Sequence, residues 1–249
     1  MRFLYNTWLY LDVLSSLSSG EDPYSLNFIP QPNSPSSPLS DRSPPPSFSL
    51  QNEIDSLLGC AAELFPLIAR MSRVSNRLSG KVIDTEHLEW IEEGIQVRNE
   101  LRDWRPPDTS ILQESQDIHC SLDDIVRTAE VYRLSSLLHL YRGFPALGNK
   151  QYDVLADQIL EFLLLIPADS RSLCVHIWPL MAAGCEIREP SKRERVLERF
   201  EVIRESLRVA NVDQAINLLG EVWHRRDLGD QDAGWPILAS ERGWNMFLG

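Results

Sequence analysis

Apolar residues recur three or four positions apart along most of the chain, and continuous alternating runs of β-branched residues are absent, so the pattern predicts an all-α fold. Met1 to Leu17 reads as a core helix, stopped by Gly20, Glu21, Asp22 and Pro23. Leu57, Leu58, Ala61, Leu64, Phe65, Ile68, Met71 and Leu78 make the next apolar face, within which Pro66 predicts a kink or a break into two shorter helices. Leu88, Ile91, Ile95 and Leu101 share one side of a helix ending before Pro106 and Pro107; its charged residues read as a wetted face.

Ser121 and Asp124 have capping-box spacing, with Asp in place of the usual Glu or Gln. They open a helix that is apolar all round, through Ile125, Val126, Ala129, Tyr132, Leu134, Leu137, Leu138, Leu140 and Tyr141, so it is predicted to be the central buried helix. Gly143 and Pro145 end it, and Val154 to Leu165 forms another helix running to Pro167. Leu173 to Glu186 is a third consecutive apolar helix, kinked at Pro179, with Ala182, Ala183 and Gly184 permitting close approach. Pro190 suits an early helical position before Val196, Phe200, Ile203 and Leu207. Asn211 is the expected cap of the following helix, whose stripe is Val212, Ala215, Ile216, Leu219 and Trp223. There His224, Arg225 and Arg226 complement the negative end. Trp235 to Phe247 folds back as a closing helix, which makes eight or nine antiparallel helices in one compact domain. No residue signature repeats at a fixed period, which argues against a solenoid.

One stretch breaks the helical pattern. Pro30, Pro32, Pro35, Pro38, Pro44, Pro45 and Pro46 alternate with serines, and such a segment cannot bury enough apolar area to offset its ordering entropy. The prediction is a disordered Pro/Ser-rich loop over 20–49, joining a first helix at 1–19 to a helical domain at 50–249. Within it Ser34, Ser37 and Ser43 each precede a proline and are candidate phosphorylation sites; the alternative is an unmodified spacer.

At 249 residues, 43% hydrophobic and 24% charged, the chain can build one sizeable core. The formal charge of -12 changes the functional picture, because DNA binding relies on Lys and Arg neutralising phosphates. Lys81, Lys150 and Lys192 are the only lysines, and the arginines are scattered among carboxylates, so no basic stripe emerges and no direct nucleic acid binding is expected. Arg2, Asn6 and Asp12 interrupt the first apolar stretch, and Ile159 to Ile166 is too short to cross a bilayer, so no membrane partner is expected. Cys60, Cys120, Cys174 and Cys185 are too dispersed for a metal motif and read as buried free thiols.

Candidate chemistry is sparse. Gly143, Gly148, Asn149 and Lys150 echo a phosphate-binding loop, yet Asn149 separates glycine from lysine, Gln151 follows, and a helix precedes; a helix-ending turn fits better. His87, His119, His139, His176 and His224 lack metalloprotease spacing, and His139 reads as a hydrogen-bonded structural residue. Asp123 and Asp124 lie where a helix start favours negative charge for structural reasons. Glu130 and Arg133, in the most apolar helix, are expected to pair with each other, with help from Arg127. No catalytic, cofactor-binding or metal residues are assigned, no cofactor is expected, and the chain reads as a non-enzyme.

Several strings then fall into place together: Trp8-Leu-Tyr-Leu-Asp12, Leu58-Gly-Cys-Ala-Ala-Glu-Leu-Phe65, Thr128-Ala-Glu-Val-Tyr-Arg133 running into Leu137-Leu-His-Leu-Tyr-Arg142, and Trp178-Pro-Leu-Met-Ala-Ala-Gly-Cys-Glu186. With Arg199-Phe200, Asn211-Val212 and Glu221-Val-Trp-His-Arg-Arg-Asp227, this order resembles the fungal-specific transcription factor domain that follows the Zn2Cys6 cluster in many fungal regulators. The resemblance implies an all-helical regulatory module of a nuclear protein. Its implied partners are proteins of the transcription machinery or a related regulator, a small-molecule effector, and a further copy or relative in a homo- or hetero-oligomer. In that family an N-terminal cysteine cluster reads DNA. This sequence has no such cysteines, and relatives carry further helices before the Trp-x-x-x-Asp segment. The chain therefore reads as a truncated copy or gene-model fragment, or as a regulator that has lost direct DNA binding. Missing helices would leave apolar faces uncovered, which predicts marginal stability or self-association. A helical adaptor or inhibitory partner of a full-length regulator is the competing reading, and an all-α small-molecule enzyme the remote one.

Overall fold

The computed structural model describes residues 2–28, 54–55, 57–79, 87–108, 121–148 and 151–243. Among them are nine α-helices and no strand: α1 (Arg2–Ser19), α2 (Leu64–Leu78), α3 (Leu88–Asp103), α4 (Leu122–Gly143), α5 (Tyr152–Leu165), α6 (Ile177–Glu186), α7 (Pro190–Leu207), α8 (Ala210–Asp227) and α9 (Trp235–Glu241). Short 3-10 turns lie at Tyr24–Asn27, Pro145–Leu147 and Arg171–Val175. The chain is all-α, as its apolar spacing predicts. The Pro/Ser-rich stretch beyond Phe28, with Ser34, Ser37 and Ser43, lies outside the described residues, as do His119, Cys120, Lys81, Asn149, Lys150 and the end of the expected closing helix.

The central helix is α4, which packs against α2, α3, α5 and α6. Its Ala129, Val131, Tyr132, Leu138 and Leu140 are almost wholly buried. A second hub is α6, every residue of which is buried, set against α5, α7, α8 and α9. The first helix is part of the same body, packing on α2 and α9 with Val13 and Leu14 at 0% exposure. Four aromatic rings run through the core from α1 to α6. Tyr10 lies 5.7 Å from Phe65, Phe65 lies 5.4 Å from Tyr132, and Tyr132 lies 5.4 Å from Trp178. Tilted contacts at these separations favour the ring quadrupoles as well as burying area.

Proline does not kink these helices. Pro66 and Pro179 sit in the first turns of α2 and α6, where an amide N–H has no intrahelical acceptor to lose. The expected longer helices are each shorter at the front. Leu57 and Leu58 belong to a turn in which Asp55 Oδ1 accepts from both their amides at 2.9 Å, and Gly59 takes φ +59°. Asn6 of α1 fixes that turn, its Nδ2 donating to Asp55 Oδ2 at 2.7 Å. Likewise Arg171–Val175 is a 3-10 turn and α6 starts only at Ile177. Pro190 opens α7, as expected, and Pro236 stands in the first turn of α9.

The expected cap of α8 is displaced. Val209 occupies the N-cap position and Asn211 lies inside the first turn. Ser121 does cap α4, accepting from the Asp124 amide at 3.1 Å, but the Asp124 carboxylate turns elsewhere, accepting from Ser170 Oγ at 3.1 Å. The small residues of α6 work as expected. A Cβ at Gly184 would meet Val196 Cγ1 at 3.1 Å and Leu219 at 3.2 Å, so glycine lets α7 and α8 close on α6.

Candidate functional site

Charges buried by these helices are the strongest candidates for function, because a buried ion must be paired or must serve a purpose. Three arginine centres stand out. In the first, Arg226 of α8 is 8% exposed and grips Glu186 of α6 bidentately, Nη1 to Oε2 at 3.0 Å and Nη2 to Oε1 at 3.1 Å. Arg226 Nε also donates to the Ala233 carbonyl at 2.7 Å, its Nη1 donates to the Cys185 carbonyl, and Arg142 Nε stands 3.0 Å from Glu186 Oε1. The acceptors surround the guanidinium, so this centre clamps α4, α6, α8 and the turn before α9. Helix-end electrostatics anticipates a basic residue at 226, but not its burial.

The second centre is Arg70 of α2, 4% exposed. Its Nε donates to Glu93 at 2.6 Å and its Nη1 to Glu100 at 2.7 Å, both on α3. The acids of α3 are therefore not merely a wetted face; two of them neutralise a buried charge one helix away. The expected Glu130–Arg133 pair forms, with Arg133 Nε donating to Glu130 Oε2 at 2.8 Å and Nη1 to the Leu101 carbonyl at 3.2 Å. Arg127 gives no help there, pairing instead with Asp123 at 3.3 Å and Asp124 at 3.6 Å.

The third centre differs. Arg199 of α7 is 6% exposed, yet its Nε and Nη2 have no acceptor among the described residues. Its charge acts on Asp124 of α4 and on His176 just before α6, and α7 packs on the 171–175 turn between them. His176, fully buried, shares a hydrogen bond of 3.0 Å between its Nε2 and Thr128 Oγ1, while its Nδ1 has no partner among the described residues. Ser170 links Asp124 to Ser172, whose Oγ is 3.0 Å away. Burial lowers the pKa of Arg199, opposed by the Asp124 charge; burial, aided by Arg199, pushes His176 down to about 3. Apart from its place in the Arg199-Phe200 string, nothing in the sequence pattern singles out Arg199, which lies in a run of Arg and Glu.

The other sequence candidates carry less. His139 is half-buried and packs its ring 6.0 Å from Trp235, with no hydrogen bond among the described residues in place of the expected one; desolvation pushes its pKa down to about 4. Cys60, Cys174 and Cys185 are free, but only Cys185 is fully buried; burial pushes Cys60 up to about 11 and Cys185 up to about 12, which keeps both protonated. Among the described residues no group of three His, Cys, Asp or Glu side chains could hold a metal ion, and no helix is long and apolar enough to cross a membrane. A shallow groove along α3 is lined by residues from Glu92 to Asp103, Ile95 among them.

On the surface, α1 and the following 3-10 turn expose an aromatic face. Trp8 lies 5.8 Å from Tyr5 and 5.9 Å from Phe28, and Phe28 lies 5.4 Å from Tyr24. Leu4 and Leu11 flank Trp8 at helical spacing and are 68% and 43% exposed. The Asp12 carboxylate holds the turn against α1, accepting from the Tyr24 and Ser25 amides at 3.1 and 2.8 Å.

Comparison with known families bears out the resemblance carried by the strings noted above. The model of the fungal specific transcription factor domain matches residues 1–249. No curated protein and no solved structure gives a significant match. The match spans the chain from end to end, so the protein belongs to the fungal specific transcription factor domain family.

Proposed function

We propose that this transcription-regulatory domain acts in the nucleus through protein contacts and takes no direct hold of DNA. The observation that carries this reading is the disposition of its cations. Arg193 grips Asp227 with both Nη atoms at 2.7 and 2.8 Å, Lys192 pairs with Asp157 at 2.7 Å, and Arg225 pairs with Glu241 at 2.8 Å. Arg77 pairs with Asp22, Arg204 with Glu201, and Arg70 and Arg226 are buried. Cations already neutralised by carboxylates have little to offer a phosphate backbone, and the net charge of -12 repels it. The α1 face, aromatic and nearly free of charge, has the composition of a surface that meets another protein.

The test joins residues 1–249 to an unrelated DNA-binding domain upstream of a reporter. Changed reporter output on tethering supports the reading, as does loss of that change in Leu4→Ser/Leu11→Ser/Phe28→Ser chains with unchanged helix content. Tight, sequence-dependent binding of the untethered chain to duplex DNA at physiological salt would overturn it.

A further inference from the structure

We propose that Arg199, with His176, forms an internal receptor for a small oxyanion that presents two oxygens side by side, of the chemistry shared by inorganic phosphate and short carboxylates. This site is independent of the protein-contact reading above.

Nε and Nη2 share one edge of the planar guanidinium, and their N–H bonds point the same way. That edge takes a carboxylate or phosphate bidentately, and it is the edge of Arg199 with no acceptor among the described residues. Arg226 shows how the same chain satisfies a buried guanidinium when only structure is at stake: two carboxylate oxygens and two carbonyls receive it. Arg199 has no counterpart to Glu186. No carboxylate among the described residues comes within ion-pair distance of it. Asp124, whose charge does favour the guanidinium, is occupied by Ser170 Oγ at 3.1 Å and stands 3.6 Å from Arg127.

His176 adds a second donor. Where Thr128 Oγ1 donates to Nε2, the neutral ring carries its proton on Nδ1, the nitrogen with no partner. A neutral imidazole N–H within electrostatic reach of the guanidinium suits an anion better than a second cation would, since it donates without adding the desolvation cost of another buried charge. The cluster is close to solvent. Ser172, on the 171–175 turn that packs against α7, is only partly buried, so opening a single 3-10 turn would admit a small ion.

Thermal unfolding of the whole chain in sodium phosphate, against sodium chloride of equal ionic strength, provides the test. Binding to the native state alone is expected to raise the melting temperature by roughly 3–6 °C for each tenfold increase in phosphate above its Kd. A parallel acetate series separates the two sources: a response to phosphate alone assigns a phosphate, and a response to both assigns the two-oxygen edge itself. Arg199→Lys keeps the charge but loses the edge, and is expected to abolish the response. Should that chain fail to fold, Thr128→Val, which releases the His176 tautomer, is expected to weaken phosphate binding several-fold, as read by equilibrium dialysis. No response beyond that to chloride overturns the proposal. So does a response unchanged in both variants, which marks an adventitious ion only.

Discussion

Two histidines, His176 fully buried and His139 half-buried, couple the folding of this domain to pH. His176 and His139 are held neutral in the native state, with pKa values lowered to about 3 and about 4, while an unfolded chain protonates them near 6.5. Below about pH 6.5 the unfolded state therefore binds more protons than the native state, and stability falls with falling pH until the native pKa is reached. The charge of Arg199 opposes protonation of His176, and Asp124 in turn favours the charge of Arg199; His139 packs at a tilt on the Trp235 ring. Urea denaturation at intervals from pH 7 to pH 4 is expected to show this decline, and His139→Gln is expected to make it shallower. A slope unaltered by that substitution would show that His139 is protonated in the native state. At this scale the sequence was informative about pairs within one helix. Glu130 and Arg133 are three residues apart, and spacing alone places them together. Arg70 with Glu93 and Glu100, and Arg226 with Glu186, are separated by tens of residues, and no local rule connects them.

The helices show how far periodicity goes. A stripe at three- and four-residue spacing identifies the buried face of α7 or α8 without knowing the neighbour it meets. It does not mark the first residue, because turns preceding a helix also bury apolar side chains, as Leu58 and Leu173 do. Extending the stripes backwards puts Pro66 and Pro179 in mid-helix. In the structure both are first-turn residues. Pro179→Ala is accordingly expected to change stability by no more than about 1 kcal/mol, whereas relief of a mid-helix proline would stabilise by about 3 kcal/mol; chemical denaturation separates the two. Gly184→Val should act strongly in the opposite sense. Its Cβ alone would press on Val196 and Leu219, and overpacking of this kind costs about 1–3 kcal/mol, read as a lower denaturation midpoint.

Across the molecule, the first helix and the last are joined, since α1 packs on α2 and α9 and starts the aromatic run that ends at Trp178 in α6. Leu14→Ala is expected to lower the stability of the whole domain by about 2–5 kcal/mol, with helix content and tryptophan fluorescence lost in one transition. A small effect, or two separate transitions, would show α1 to be an appendage. The sequence by itself determined the all-α class, the faces of most helices, the adverse charge for DNA and the family strings. These depend on spacing within a single element or on sums over the chain. The tertiary structure decided which charges are buried, which prolines are harmless and why Arg199 stands apart. Burial and pairing depend on neighbours contributed by distant helices, and only the packed chain fixes those neighbours.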